Sequence, residues 1–228
     1  MISKSNLQES LVALYLRLNG YTTTGLILHS PNDEAVDGEI DIIGVRFSEH
    51  KQPDRIIECS NELEIPNDTR LDIIIGEVKG GKNPLQFNES LRLHTDRVTK
   101  LFQWIGICQD EDLNNLATTF MATIQVNEIQ KPDPFPIIKY SDISIRPILF
   151  APDKTTQRNN QLKFISGTEM ISFCWNCFRP ENRRVTCETN YKAINNWGEQ
   201  FERLVGYFKN RDKNSAGLIT DFYDHFIK

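Results

Sequence analysis

The stretch that decides the fold is Ile73-Ile74-Ile75-Gly76-Glu77-Val78-Lys79, read beside Gly38-Glu39-Ile40-Asp41-Ile42-Ile43-Gly44-Val45. Both segments are dense in β-branched residues and ringed by glycine and charge, the composition of a core strand, where carboxylates are rare. Side chains two apart on a strand share a face, so Glu77 and Lys79 project together while Val78 faces the other way. Antiparallel pairing of the two segments brings Asp41 beside them. Two carboxylates can hold a hard cation such as Mg²⁺, with Mn²⁺ as an alternative, and a neighbouring ammonium offsets charge that builds on a phosphate. That combination suits phosphodiester hydrolysis.

The order Asp41, then Glu77-Val78-Lys79, resembles the PD-(D/E)XK nuclease superfamily, which includes many restriction endonucleases and archaeal Holliday-junction resolvases. The resemblance covers roughly the first half of the chain, and no proline precedes Asp41. It implies a metal-dependent nuclease in which Asp41 and Glu77 bind the metal and Lys79 positions a water or stabilises the transition state. In the resolvase-like branch a glutamate on the first helix joins the metal site. Glu9 matches it: residues 4–19 read as an amphipathic helix with Leu7, Leu11, Leu14 and Leu18 on one stripe and Gly20 as its stop. Val12, Ala13 and Leu16 surround Glu9 on a second apolar strip, so the carboxylate needs a cation. Glu39 shares the face of Asp41 and stands as its substitute or neighbour. Each residue alone has a bland reading: a same-face ion pair for Glu77 and Lys79, a turn cap for Asp41.

The element order reads as a restriction-endonuclease-like αβββαβ core, an α/β fold with a mixed central sheet flanked by helices. Strands are expected at Tyr21–Leu28, Glu39–Phe47 and Leu71–Lys79, with a short one at Arg55–Cys59. A turn is expected at Ser30-Pro31-Asn32-Asp33, a helix from Asn88 to Ile105, and two further strands at Phe120–Val126 and Ile143–Phe150. On the helix after the motif, Arg92, Arg97 and Lys100 are candidates for nucleic-acid contact, while His94 lies on the apolar face as a core histidine. Residues 1–152 form the core and 153–228 a mostly helical extension packed on it, a single domain overall.

In that extension, Ser166-Gly167-Thr168-Glu169 has the spacing of a capping box opening a helix over 170–178 that is apolar on nearly all sides. Cys174-x-x-Cys177 lacks a second ligand pair, with only Cys187 nearby, so buried cysteine is the better account than zinc. Arg179, Arg183 and Arg184 form the densest basic cluster, a candidate phosphate contact. Trp197, Phe201, Leu204, Val205 and Phe208 mark an amphipathic helix, and Phe222, Tyr223, Phe226 and Ile227 end the chain with aromatics. These residues either pack within the chain or meet a second copy or partner protein.

The net charge of −5 is unusual for a nucleic-acid enzyme, but its distribution is uneven. Residues 33–77 hold thirteen acidic and four basic side chains, whereas residues 139–192 hold nine basic and five acidic. The later half is therefore the expected source of a positive groove. No apolar run is long enough to span a bilayer and no cleavable signal pattern is visible; with five irregularly spaced cysteines, this points to a reducing, cytoplasmic setting and no membrane partner. DNA is the expected substrate rather than RNA. The rival reading keeps the nuclease fold and drops the chemistry: a binding or assembly subunit of a nucleic-acid-processing or defence complex.

Overall fold

A computed structural model describes residues 3–29, 36–51, 57–125, 135–155, 163–178, 198–210 and 219–227. The chain opens with helix α1 (Lys4–Leu18), capped by Ser3, whose Oγ accepts the Asn6 N–H at 3.1 Å, and stopped at Gly20, where φ is +89°. Strands β1 (Thr22–His29), β2 (Val36–Phe47) and β3 (Leu71–Val78) follow, each antiparallel to its predecessor. Helices α2 (Glu89–Leu93), α3 (Thr95–Ile105) and α4 (Asp110–Ile124) then lead to β4 (Ile138–Tyr140) and β5 (Ile143–Ala151). Strand β6 (Phe164–Ser166) runs into α5 (Gly167–Phe178), and α6 (Glu199–Asn210) and α7 (Ile219–Phe226) complete the described residues.

The six described strands form one mixed sheet in the order β1-β2-β3-β5, with β5 parallel to β3. Along its other edge β5 pairs antiparallel with β4 up to Ile145 and parallel with β6 from Leu149. Pro147 falls between them, where neither strand needs the N–H it lacks. All nine residues of β5 are buried, as expected of a central strand covered on both faces.

Two apolar layers cover the sheet. On one face Ile42, Ile74, Ile148 and Phe150 pack under α1, α5, α6 and α7; on the other Ile40, Ile43, Ile73, Ile75 and Leu149 pack under α2, α3 and α4. Helix α1 is buried around most of its circumference, because the C-terminal helices close over its outer side. Phe201, Leu204, Val205, Phe208 and Phe222 are buried in that layer, so the C-terminal aromatics serve intrachain packing. Ser166 Oγ accepts the Glu169 N–H at 3.2 Å, half of a capping box. Glu169 does not complete it, because its carboxylate accepts Ser60 Oγ–H at 2.7 Å and Tyr15 O–H at 3.3 Å.

Several sequence expectations are corrected. Residues 120–124, expected in a strand, lie in α4, whose Leu113, Leu116, Ala117, Phe120 and Ile124 follow the helical period onto the sheet. The helix expected from Asn88 to Ile105 breaks at His94, whose φ of −126° and ψ of 96° are extended; His94 is exposed at this joint, not in the core. Residues 57–59 form no strand. Helix α5 buries one side and exposes Ser172 and Asn176, so it is amphipathic. Residues 52–56, Val126, the turn at 30–33, Arg179, Arg183, Arg184, Cys187 and Trp197 lie outside the described residues. No helix among the described residues is long and apolar enough to cross a membrane.

Candidate metal and phosphodiester site

The register of β2 positions the first acid. Thr24 pairs with Ile43 and Leu26 with Ile40, so Asp41 and Ile42 together oppose the single residue Gly25. This is a β-bulge, which inserts a residue and re-aims a side chain. It lets Ile40 and Ile43 both face the α3–α4 layer while Ile42 turns to the α1 layer, and it frees Asp41 from the regular alternation. The Asp41 carboxylate reaches across to β3, where Oδ2 accepts the Val78 N–H at 2.7 Å.

Strand β3 supplies the second acid. Glu77 lies on the face of Ile73 and Ile75 and is 3 % exposed. Its Oε1 takes the Lys79 Nζ at 2.5 Å, and the Asn88 N–H at the cap of α2 also donates to its carboxylate. Helix α2, of five residues, serves here only to present that one N–H. One position back, Gly76 lies opposite Ile42, and a Cβ there would collide with Ile42 and Phe150. Glycine thus leaves room for those two side chains on the α1 face of the sheet.

From the opposite layer, α1 presents Glu9, half-buried, with Ser5 Oγ–H donating to its Oε1 at 2.8 Å. The charges acting on Asp41 identify its neighbours. Its carboxyl is pushed up to about 7, first by burial and then by the negative charges of Glu77 and Glu9, against the Val78 N–H and the Lys79 ammonium. Glu77 is raised as well, by burial, with Lys79 and the Asn88 N–H opposing and Glu39 adding repulsion. Three of the residues singled out in the sequence, Glu9, Glu77 and Lys79, therefore act electrostatically on the fourth, Asp41, and Lys79 acts on Glu77 as well. Glu39 stays exposed at the rim, where its carbonyl accepts Asn88 Nδ2–H at 3.0 Å.

A cleft of about 540 Å³ opens beside Asp41, bounded by Glu9 and Ala13 of α1, by Thr23, Thr24 and His29 of β1, and by Gln200 of α6. Among the described residues no three His, Cys, Asp or Glu side chains converge as a preformed metal cage. The donor set is nonetheless all oxygen and anionic, which fits a hard divalent ion better than zinc or copper.

The helical cations are less involved. Arg92 Nε–H donates to the Phe87 carbonyl at 2.8 Å and its Nη2 lies 3.9 Å from Glu89, so it braces α2 locally. Arg97 and Lys100 are half-buried on α3, and neither is among the main charges acting on Asp41 or Glu77. Sequence reading missed Asn88 as a donor to Glu77, although it did place the start of a helix there. It also missed Ser5, whose signal was its place one turn before Glu9. No family model, curated protein or solved structure matches the chain.

Proposed function

We propose that this protein is a divalent-metal-dependent nuclease with a restriction-endonuclease-like core, hydrolysing phosphodiester bonds in DNA. One observation carries the reading: half-buried Asp41, held by the Val78 N–H at 2.7 Å, faces the negative charges of Glu77 and Glu9, which with burial push its carboxyl up to about 7, while Lys79 Nζ stands 2.5 Å from Glu77. An acid cluster this poorly compensated is stabilised by a cation. The strand order, with three antiparallel strands followed by helices and a strand parallel to β3, supports the same reading.

Asp41 and Glu77 would hold the ion, with Glu9 completing or adjusting its shell. When bound, Mg²⁺ or Mn²⁺ would stabilise charge on a phosphoryl oxygen and make a nearby water more acidic. The chain's own groups do the rest. The Val78 N–H fixes the direction of Asp41, Ser5 fixes Glu9, and Lys79, released from Glu77, orients the attacking water or offsets negative charge on the phosphate. His29 lines the same cleft, and the proton passes to solvent or phosphate.

A second reading, a binding or assembly subunit on a nuclease scaffold, draws on one observation: no three acids converge among the described residues. Purified protein incubated with Mg²⁺ or Mn²⁺ on plasmid, linear and branched DNA, beside Asp41→Ala and Lys79→Ala, separates the two. Cleavage by the wild type alone supports the nuclease. Equal cleavage by all three removes the mechanism, and cleavage by none favours the scaffold.

A further inference from the structure

Past Lys79 the chain continues as Gly80-Gly81-Lys82 across the same end of the sheet. Gly80 lies so close to Gln8 of α1 that a Cβ would run into its carboxamide. Gly81 has a φ of +69° and open space where a side chain would stand. Asp153, in the turn after β5, ties this loop down: its Oδ2 accepts the Gly81 N–H and the Lys4 Nζ, the latter at 3.3 Å. Lys154 donates to the Gly81 carbonyl at 2.8 Å, and Lys4 also stands 5.3 Å over the Tyr223 ring. Three separate segments thus bring Lys4, Lys82 and Lys154 around one open glycine. Asp153 balances one of these charges, and Lys82 is exposed with no ion-pair partner among the described residues.

The other approach to the carboxylates has the opposite character. The cleft beside Asp41 is lined by Glu9, Glu39 and Asp41 together with neutral residues, with no lysine or arginine among them. A polyanion is repelled there and attracted on the lysine side. The distance is short: four residues separate Glu77 from Gly81, at most about 15 Å of chain, or about four nucleotides at ~3.4 Å of axial rise per phosphate.

We infer that Lys4, Lys82 and Lys154, arranged around Gly81, form a platform that holds the phosphate backbone of a nucleic-acid strand as it leaves the candidate cleavage site. The inference rests on the nuclease reading for its choice of ligand, and it assigns backbone contact to residues other than Arg92, Arg97, Lys100 and the 179–184 cluster. Binding to a platform of this kind is independent of base sequence and falls with salt.

The test is fluorescence anisotropy of a fluorescein-labelled oligonucleotide, single-stranded and duplex, titrated with full-length protein in EDTA across a salt series. Each lost phosphate contact shrinks the slope of log K against log salt by about 0.7 on a single strand and about 0.9 on a duplex. Lys82→Ala is expected to lose one such step and Lys82→Ala/Lys154→Ala two. Lys51→Ala, an exposed lysine paired only with Glu49, is expected to lose none. Since Lys82 is exposed, its substitution leaves the fold intact. Wild-type slopes in the double variant, an equal loss in Lys51→Ala, or no binding by the wild type would each overturn the platform. Binding with the expected slopes but no cleavage in Mg²⁺ would instead overturn the nuclease reading and leave the platform standing.

Discussion

Strand β3 carries a buried acid near each end, and the two live in different surroundings. Asp72, fully buried, accepts Arg146 Nε–H at 3.0 Å and Nη2–H at 2.5 Å, the Tyr21 hydroxyl at 2.5 Å and the Ser144 hydroxyl. Arg146 also donates to the carbonyls of Glu62 and Glu64 and to the Tyr21 oxygen. Charge is matched one to one there, and the donors are distributed over the available lone pairs. Five residues on, Glu77 has Lys79 as its ammonium partner and adds its negative charge to that of Glu9 on Asp41. A buried pair is costly to break because one charge is then stranded in the core, whereas acids that repel one another are stabilised by a cation. The first end is balanced by the chain's own charges, and the second only in part.

The contrast breaks most sharply at Arg146. Arg146→Ala strands Asp72 in the core and is expected to cost about 3–5 kcal/mol, lowering Tm by roughly 6–20 °C in circular-dichroism melts. A drop under about 2 °C would mean that this end is no more structural than the other. Lys79→Ala is expected to cut the cleavage rate by about 10²–10³-fold while the protein still unfolds cooperatively, because Glu77 can take up a proton. Loss of folding in that variant would erase the distinction.

A third test uses pH. Asp41 holds its proton in the folded protein up to about pH 7, whereas the unfolded chain releases it near the ordinary carboxylate value. Between those values the folded state binds more protons, so wild-type stability falls as pH rises through that window and levels off above it. Asp41→Asn should therefore be more stable than wild type at pH 8, by about 1–3 kcal/mol after solvent screening, with the difference vanishing near pH 4. A lower Tm than wild type at pH 8 would show that the Val78 hydrogen bond outweighs the repulsion.

The smallest expected effect is that of the metal on stability. Mg²⁺ at tenfold its dissociation constant stabilises by about 1.4 kcal/mol, a rise of roughly 3–6 °C that EDTA reverses. Asp41→Asn should abolish that rise. An equal rise in that variant would move the ion away from Asp41.

How legible the molecule was in its residues varied with the physics involved. The pairing of the Asp41 and Glu77 segments followed from period-two alternation and strand composition, and the buried stripe of α1 from its leucines. The bulge was not readable, because one extra residue leaves no compositional trace and depends on what Gly25 opposes. Strand propensity misled at residues 120–124, where Phe, Thr and Ile are β-formers; the acids Asp110, Glu111 and Asp112 in the first turn of α4 were the overlooked helix signal. The Asp72–Arg146 pair was equally hidden. Its partners lie 74 residues apart, and only the parallel register of β3 with β5 brings them together.

The doubled position opposite Gly25 has a consequence for how this strand can vary. Shortening β2 by Ile42 would leave Leu26 against Ile40 and Thr24 against Ile43, yet turn the aspartate inward beneath the first helix. The placement of Asp41 beside Val78 would therefore be lost through a change in chain length alone, with hydrophobic content almost untouched. Any alignment of this strand with a regular one must open a one-residue gap at 41–42. Without that gap, every residue upstream would be compared with one from the wrong side of the sheet.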